Sequence, residues 1–165
     1  MFMKIDKAVE KAKDLERVSE ILDAGGFLCS AYLLLEKEEQ PKKWNLAFYS
    51  KKRDEITSVE VEEEEVSIGV TDEPLRENTG KIELGKISIG TEEGIKKAKE
   101  VVDKDFNISY RKFLFSVKSE DERQVWRGVF VGKSLSIVTV SIDTETGEVL
   151  EKESKRIASG SSFGG

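Results

Sequence analysis

The stretch Arg123–Leu150, RQVWRGVFVGKSLSIVTVSIDTETGEVL, decides the fold of this chain. β-branched and aromatic residues fill Val125–Val131 and Ser136–Ile142, so both runs are predicted to be strands joined as a hairpin. In the second run apolar residues alternate with polar ones, which indicates a sheet with one buried face and one solvated face. The chain then turns at Asp143–Gly147, and Glu148–Leu150 is predicted to be a last short strand. Another element must cover the buried face.

A helix and a strand precede this hairpin. Thr91 opens the helix, and acids follow in its first turn, where negative charge favours the N-terminal end of the helix dipole. The apolar stripe of the helix contains Ile95, Ala98 and Val101. Ile108–Lys118 is predicted to be a strand, with aromatic residues on one of its sides. We therefore expect the helix to lie over a sheet that contains this strand and the hairpin.

The first part of the chain repeats this order of elements. A helix is predicted over residues 6–24, and strands are predicted over residues 27–36, 44–49 and 56–61. The strand 27–36 is apolar on both faces, so we expect it in the centre of a sheet. Between the two parts, apolar residues within 82–89 suggest one or two further short strands.

The two parts also agree at individual positions. The matched pairs are Lys11–Lys13 with Lys97–Lys99, Trp44 with Trp126, and Phe48 with Phe130. This agreement predicts an α+β fold of two tandem helix-plus-antiparallel-sheet units that arose by duplication. The predicted units are residues 1–70 and 91–153, with a β-rich connection over 71–90 and a flexible tail over 154–165. The alternative is one irregular α+β domain whose similar periods reflect similar elements.

Charge and composition limit the classes of partner. The net charge is -6, with 27 Lys and Arg residues interspersed among 33 Asp and Glu residues. This balance argues against nucleic-acid binding, which needs basic residues clustered on one face. Lys and Glu are abundant while Asn and Gln are scarce, a bias reported for proteins of hyperthermophiles. We expect a heavily charged, solvated surface.

The apolar segments indicate no membrane span. The longest run, Phe27–Leu35, is far shorter than the roughly 20 residues that cross a bilayer. Met1–Lys4 leads straight into a helix pattern without the features of a secretory leader, so we expect a cytoplasmic protein. Cys29 is the single cysteine and lies in an apolar strand, where a buried, unreactive thiol is expected.

The sequence offers little catalytic chemistry. It contains no histidine and one cysteine, which removes the commonest general base, the commonest metal ligand and thiolate zinc sites. We therefore expect no catalytic residues, no metal, no cofactor and no enzymatic activity. Glu60 and Glu62–Glu65 form the densest charge cluster. It is either a cation site, a docking face for a basic partner, or a solvated edge that discourages strand addition, and we favour the solvated edge.

The second half carries a family pattern. A helix is opened by Thr91 and acids, Trp126 stands at the head of a strand, and VSIDTETGEV over Val140–Val149 closes the segment. This pattern resembles that of PepSY domains, most clearly over residues 87–151, with a degenerate copy over residues 5–70. The resemblance implies a cystatin-like fold, in which a helix lies across a curled antiparallel sheet. It also implies a role in binding or restraining protein partners, without catalysis.

These observations favour a small non-enzymatic protein that binds a peptide or protein, with inhibition as one form of that role. The partner would bind at an open sheet face or an edge strand, and self-association through an edge is equally compatible. The alternative is a small-molecule-binding protein or enzyme with a pocket between helix and sheet. Modification of the Gly164–Gly165 terminus is a third hypothesis. The candidate ligand- or partner-facing residues are Trp44, Tyr110, Phe113, Phe115 and Trp126.

Overall fold

Eight antiparallel strands form one continuous sheet in the computed structural model, which describes residues 3–38, 42–73 and 80–156. The strands are β1 (Phe27–Glu36), β2 (Lys43–Ser50), β3 (Glu55–Glu62), β4 (Val66–Asp72), β5 (Tyr110–Glu120), β6 (Arg123–Gly132), β7 (Ser136–Asp143) and β8 (Val149–Arg156). The helices are α1 (Ile5–Ala12), α2 (Glu16–Asp23) and α3 (Thr91–Val101). The strand order is β4-β3-β2-β1-β5-β6-β7-β8, so β4 and β8 are the two edges.

The prediction of two tandem helix-plus-antiparallel-sheet units is wrong. β1 and β5 pair in the centre of the sheet, with Ala31 opposite Val117 and Leu35 opposite Phe113, so all eight strands belong to one sheet. The buried side chains also form one hydrophobic cluster. Pairing β1 with β5 satisfies backbone donors and acceptors that two separate sheets would leave free. Alternating apolar residues identify a strand but do not reveal its partner strand. For this reason the sequence did not indicate the pairing of β1 with β5.

All three helices lie on the same face of the sheet. α1 and α2 pack on β2 and β3, and α3 packs on β6 and β7. Leu46, Ala31, Val117 and Trp126 lie opposite one another from strand to strand and all point into the core beneath the helices. The central position predicted for β1 is confirmed, since it is flanked by β2 and β5.

The helix predicted over residues 6–24 consists of two helices. The break lies between α1 and α2, where Leu15 has an extended backbone with φ −79° and ψ 127°. The Ser19 hydroxyl of α2 donates to the carbonyl of Lys13 across the break at 2.7 Å. Both helices bury an apolar stripe, since Ala8 and Val18 are fully buried.

Residues 80–90 contain no strand, contrary to the prediction for 82–89. A single 3-10 turn spans Leu84–Lys86. Isolated hydrogen bonds connect this segment to the sheet. The Ile82 N–H donates to the Leu28 carbonyl at 2.9 Å, and the N–H groups of Ser88 and Ile89 both donate to the Thr144 carbonyl in the β7–β8 turn. The apolar residues of the segment therefore reflect packing against the core and not a strand.

Two strands extend beyond their predicted bounds. β4 reaches Asp72, inside the predicted connection over 71–90. β8 continues past Leu150 to Arg156, so residues 154–156 of the predicted tail belong to a strand. Residues 157–165, including Gly164–Gly165, lie outside the described part of the chain.

The face of the sheet opposite the helices is open to solvent. Leu34 and Tyr32 of β1 point to this face and are 60% and 41% exposed. On β6 of the same face, the Arg127 guanidinium pairs with the Glu120 carboxylate at 2.7 Å. The sheet thus has one covered apolar face and one mixed, solvated face, as the alternation in β7 predicted.

Candidate functional site

The five aromatic residues predicted to face a ligand lie in the core. Trp44, Phe115 and Trp126 are fully buried, while Phe113 and Tyr110 are 1% and 3% exposed. All five point towards the helices from β2, β5 and β6. Their side chains therefore present no surface to a partner, and their large apolar area accounts for their burial.

The two tryptophans hold the starts of two helices onto the sheet. Trp44 Nε1 donates to the Met3 carbonyl at 2.8 Å, just before α1 begins. Trp126 Nε1 donates to the Ile89 carbonyl at 2.7 Å, just before α3 begins. Each indole thus satisfies its buried N–H group with a backbone acceptor. The role of both side chains is structural.

The space between α3 and the sheet is filled. Phe115 and Trp126 stack with ring centroids 5.0 Å apart. A Cβ atom at Gly94 of α3 would lie 3.0 Å from Phe115 Cζ and 3.1 Å from Trp126 Cδ1. Glycine avoids a tight contact at this position, because the helix approaches the aromatic pair closely. These residues enclose no pocket of the kind expected between helix and sheet.

Tyr110 is a buried residue whose hydroxyl group has an unusual environment. Its hydroxyl has no hydrogen-bond partner among the described residues. Burial raises the pKa of Tyr110 to about 12, and the negative charges of Asp103 and Glu38 add to the shift. The Lys37 ammonium lies 4.9 Å from the centre of the ring. The phenol is therefore neutral over the physiological pH range and is not poised for acid–base catalysis.

The remaining features also lack reactive chemistry. The Cys29 thiol is buried and lies 3.4 Å from the Ala47 carbonyl, and burial raises its pKa to about 11, which disfavours the nucleophilic thiolate. Within residues 3–38, 42–73 and 80–156, no group of three or more His, Cys, Asp or Glu side chains is arranged to hold a metal ion. The helices of these ranges also lack the length and hydropathy of a membrane span.

One surface cavity has the size of a ligand site. It has a volume of about 850 Å³ and lies between the N-terminal ends of α1 and α3. Its apolar lining comes from Ile5, Leu84 and Ile87. Around them stand charged side chains of both signs, Lys4, Asp6, Glu92, Glu93 and Lys96. The cavity combines apolar area with polar groups, as small-molecule sites do.

The two edges of the sheet differ in charge. β8 has the sequence VLEKESKR, in which five of the eight residues are charged. β4 has the sequence VSIGVTD, in which Asp72 is the single charged residue, and Ile68 and Val70 are 46% and 62% exposed. Charged residues on an edge discourage pairing with another strand, whereas an uncharged apolar edge permits it. β4 is therefore the edge that is open to strand addition.

The β3–β4 hairpin determines which backbone groups of β4 are free. The Glu62 N–H donates to the Glu65 carbonyl at 2.7 Å, and Val61 and Val59 lie opposite Val66 and Ile68. In an antiparallel ladder the hydrogen-bonded pairs alternate with pairs whose N–H and C=O groups point away. Val66 and Ile68 thus direct their N–H and C=O groups to the free edge. The register shifts after Ile68, so the regular part of this edge is short.

Acidic residues flank the uncharged part of β4. Glu63, Glu64 and Glu65 precede it, Asp72 ends it and Glu73 follows, and all of them are exposed. The nearest basic group on β2, Lys43, pairs with the Glu60 carboxylate. Hydrogen bonding to Glu60 raises the pKa of Lys43, and the charge of Glu62 contributes.

Sequence reasoning did not single out this edge. Val66, Ile68 and Val70 recur at every second position, which indicates a strand, but the position of a strand within the sheet depends on pairing that local patterns do not specify. The absence of charge between Glu65 and Asp72 did not mark this edge, because longer uncharged stretches occur at residues 24–35 and 134–142, and most of those residues lie in β1 and β7, inside the sheet.

Comparison with known proteins shows a likeness in fold. No protein-family model and no curated protein sequence matches this chain. The structure is similar to a crystal structure described as that of a "putative lipoprotein" from Clostridium difficile 630, with a TM-score of 0.62 and 14% sequence identity. The match covers 93% of each chain, so it includes nearly the whole sheet with its helices. At this identity the likeness concerns the fold alone.

Proposed function

We propose that this protein is a non-enzymatic binding protein that takes up an extended segment of a protein partner by strand addition at β4. The observation that carries the proposal is the free, uncharged stretch Val66–Thr71 at one edge of the sheet. The segment would hydrogen-bond to the outward N–H and C=O groups of Val66 and Ile68, and its side chains would contact Ile68 and Val70.

Two further points support a binding role. The resemblance of residues 87–151 to PepSY domains favours it, because those domains bind or restrain protein partners. Two buried groups with raised pKa values, Tyr110 and Cys29, are held in their neutral forms, which fits a protein without a catalytic step. The cytoplasmic location expected from the sequence remains a prediction.

Amide hydrogen exchange tests the proposal. The probe is the alternating peptide TVTVTV, capped at both termini and prepared with lysine, glutamine or glutamate at its two ends. We expect the exposed amides of Val66 and Ile68 to exchange fast in the free protein and at least tenfold more slowly with bound peptide. Unchanged exchange at both amides with all three peptides, or slowing confined to the helices, would overturn the proposal.

Two substitutions at one position separate backbone pairing from side-chain contact. Ile68→Pro removes the outward N–H, and proline is tolerated on an edge strand where that group faces solvent. Ile68→Ala keeps the N–H and removes most of the side chain. If the peptide adds as a strand, the proline variant loses binding and the alanine variant retains part of it. Equal loss in both variants would indicate side-chain packing without strand addition.

The cavity between α1 and α3 favours a second candidate, a small-molecule-binding protein. Its volume of about 850 Å³ and its mixed lining suit an amphipathic ligand. A thermal-shift screen of amphipathic compounds against the protein and its Leu84→Arg variant tests this candidate. A compound that stabilises the protein but not the variant would support it, whereas a screen without such a compound would contradict it.

A further inference from the structure

We infer that the segment received by β4 is basic at both ends and uncharged between them. This inference rests on the strand-addition function proposed above and specifies the chemistry of the partner. Its basis is the charge distribution along the free edge, where acids stand at both ends of a stretch without charge.

The end of the edge that precedes Val66 is acidic, and its carboxylates make no ion pair among the described residues. The carboxylates of Glu63, Glu64 and Glu65 are exposed and make no ion pair within 4.0 Å among the described residues. Lys11 Nζ reaches the backbone carbonyl of Glu63, and not its carboxylate. Lys7, Lys42 and Lys43 line a cavity beside Glu62–Glu64, and of these lysines only Lys43 forms an ion pair, with Glu60. The carboxylates of Glu63–Glu65 therefore have no ion-pair partner among the described residues, although lysines lie nearby.

The second end is acidic as well. Asp72 closes β4 and Glu73 follows it, and both are exposed and without an ion pair in the described part of the chain. Opposite Asp72 on β3 lies Ile56, which is uncharged. The distance along the strand from Glu65 to Asp72 is about 23 Å at roughly 3.3 Å per residue. A bound segment would meet these acids with two basic residues about seven positions apart.

The same charges disfavour a second copy of this chain as the occupant. In an antiparallel pair of two β4 strands, Glu63–Glu65 of each copy would approach Asp72 and Glu73 of the other. Like charges placed opposite each other across a ladder are destabilising. The uncharged centre of the edge permits strand pairing, and the acidic flanks select a basic partner over self-pairing.

The flanking residues of the probe peptide test this inference. The peptides KTVTVTVK, QTVTVTVQ and ETVTVTVE share their centre, and a fluorescent label reports their affinity by anisotropy. We expect the lysine peptide to bind about three- to tenfold more tightly than the glutamine peptide, and the glutamate peptide to bind most weakly, since exposed ion pairs contribute modestly. At roughly 0.5 M NaCl, where the Debye length falls well below 10 Å, the three affinities should converge.

Charge-neutral variants provide the matched comparison. Replacing Glu63, Glu64 and Glu65 with Gln should remove most of the preference for lysine, whereas Glu151→Gln with Glu153→Gln on β8 should preserve it.

Equal affinities of the three peptides at low salt, with amide protection at Val66 and Ile68, would overturn this inference and leave strand addition intact. Failure of all three peptides to bind would overturn both. A dimer that Ile68→Lys dissolves would also contradict the inference, since the occupant would then be a second copy.

Discussion

Ile68 lies directly opposite Val59 across the β3–β4 ladder, yet Val59 is fully buried and Ile68 is 46% exposed. The two side chains share one face of the sheet, the face that the helices cover. The helical cover therefore thins towards β4, because α1 packs mainly on β2 and β3 among the described residues. This relationship makes β4 accessible both along its edge and on its face.

Ile68→Lys should block partner binding at little cost in stability. The side chain is half exposed, so we expect the free energy of unfolding to change by less than about 0.5 kcal/mol. An inward or edge lysine obstructs the approach of another strand, so peptide affinity should fall at least tenfold. Urea denaturation and fluorescence anisotropy measure the two effects. Val149→Lys on the opposite edge is the control, and equal loss of affinity in both variants would refute the assignment of the site to β4.

Gly94→Ala should destabilise the protein although alanine favours helices. Alanine gains about 1 kcal/mol over glycine within a helix. Here, however, the added methyl group would lie 3.0 Å from Phe115 and 3.1 Å from Trp126, two buried and stacked rings that would have to shift to admit it. Overpacking of this kind costs about 1–3 kcal/mol, so we expect a net loss.

Chemical denaturation checks the effect at Gly94. Gly85→Ala is the matched control, because no atom lies within 4 Å of the position that its Cβ would occupy. The control should have nearly the stability of the original chain. A Gly94→Ala variant that is more stable than the control would show that the helix can move away from the aromatic pair.

Trp126→Phe and Trp44→Phe should cost similar amounts of stability. Each change removes an indole N–H and leaves a carbonyl, that of Ile89 or of Met3, without its donor. The lost hydrogen bond and the smaller ring together should lower the free energy of unfolding by about 2–4 kcal/mol. Urea titrations of both variants measure this. A loss below about 0.5 kcal/mol in either variant would contradict an anchoring role for that indole.

The Tyr110→Phe variant should lose less unfolding free energy than the original chain as the pH rises from 10 to 12. The pKa of Tyr110 is about 12 in the folded protein and about 10 in an unfolded chain, so between these values the unfolded state loses a proton that the folded state keeps. The stability contributed by the neutral phenol is therefore complete below pH 10 and is lost as the pH rises towards 12. The two pKa values differ by about two, which corresponds to at most about 2.7 kcal/mol, and the phenylalanine variant should not lose this contribution.

The measurement is the difference in unfolding free energy between the Tyr110→Phe variant and the original chain at pH 8 and near pH 11.5. At pH 8 we expect the variant to be at least as stable, because it removes a buried hydroxyl without a partner among the described residues. Tyr32→Phe is the control, since the Tyr32 side chain is 41% exposed. If the difference in unfolding free energy between the Tyr110→Phe variant and the original chain is the same at both pH values, the raised pKa of Tyr110 is contradicted.

The sequence predicted the strands better than their assembly. The bounds expected for β1, residues 27–36, agree with the structure, and the hairpin of β6 and β7 lies where β-branched residues predicted it. These elements are recognisable because periodicity within a strand is local. The joining of β1 to β5 was missed, because Ala31 and Val117 lie far apart in sequence, and the apolar faces that indicated a central place for β1 do not identify its partner strand.

The candidate site was missed for a related reason. The predicted ligand- or partner-facing residues were large aromatic ones, but large apolar side chains are as typical of a protein core as of a ligand site. These residues were Trp44, Phe113, Phe115, Tyr110 and Trp126. The exposed edge consists of small and aliphatic residues whose importance depends on the lack of a neighbouring strand. That property belongs to the sheet as a whole and has no signature in β4 alone.

The pairing of β1 with β5 also has a kinetic consequence. Each of the other ladders joins strands that follow one another along the chain, so they can form as hairpins soon after collapse. Glu36 and Lys112 must instead find each other across a long intervening chain. The overall folding rate should thus be limited by this one late encounter, and destabilising β1 or β5 should slow folding more than an equal destabilisation of a peripheral hairpin.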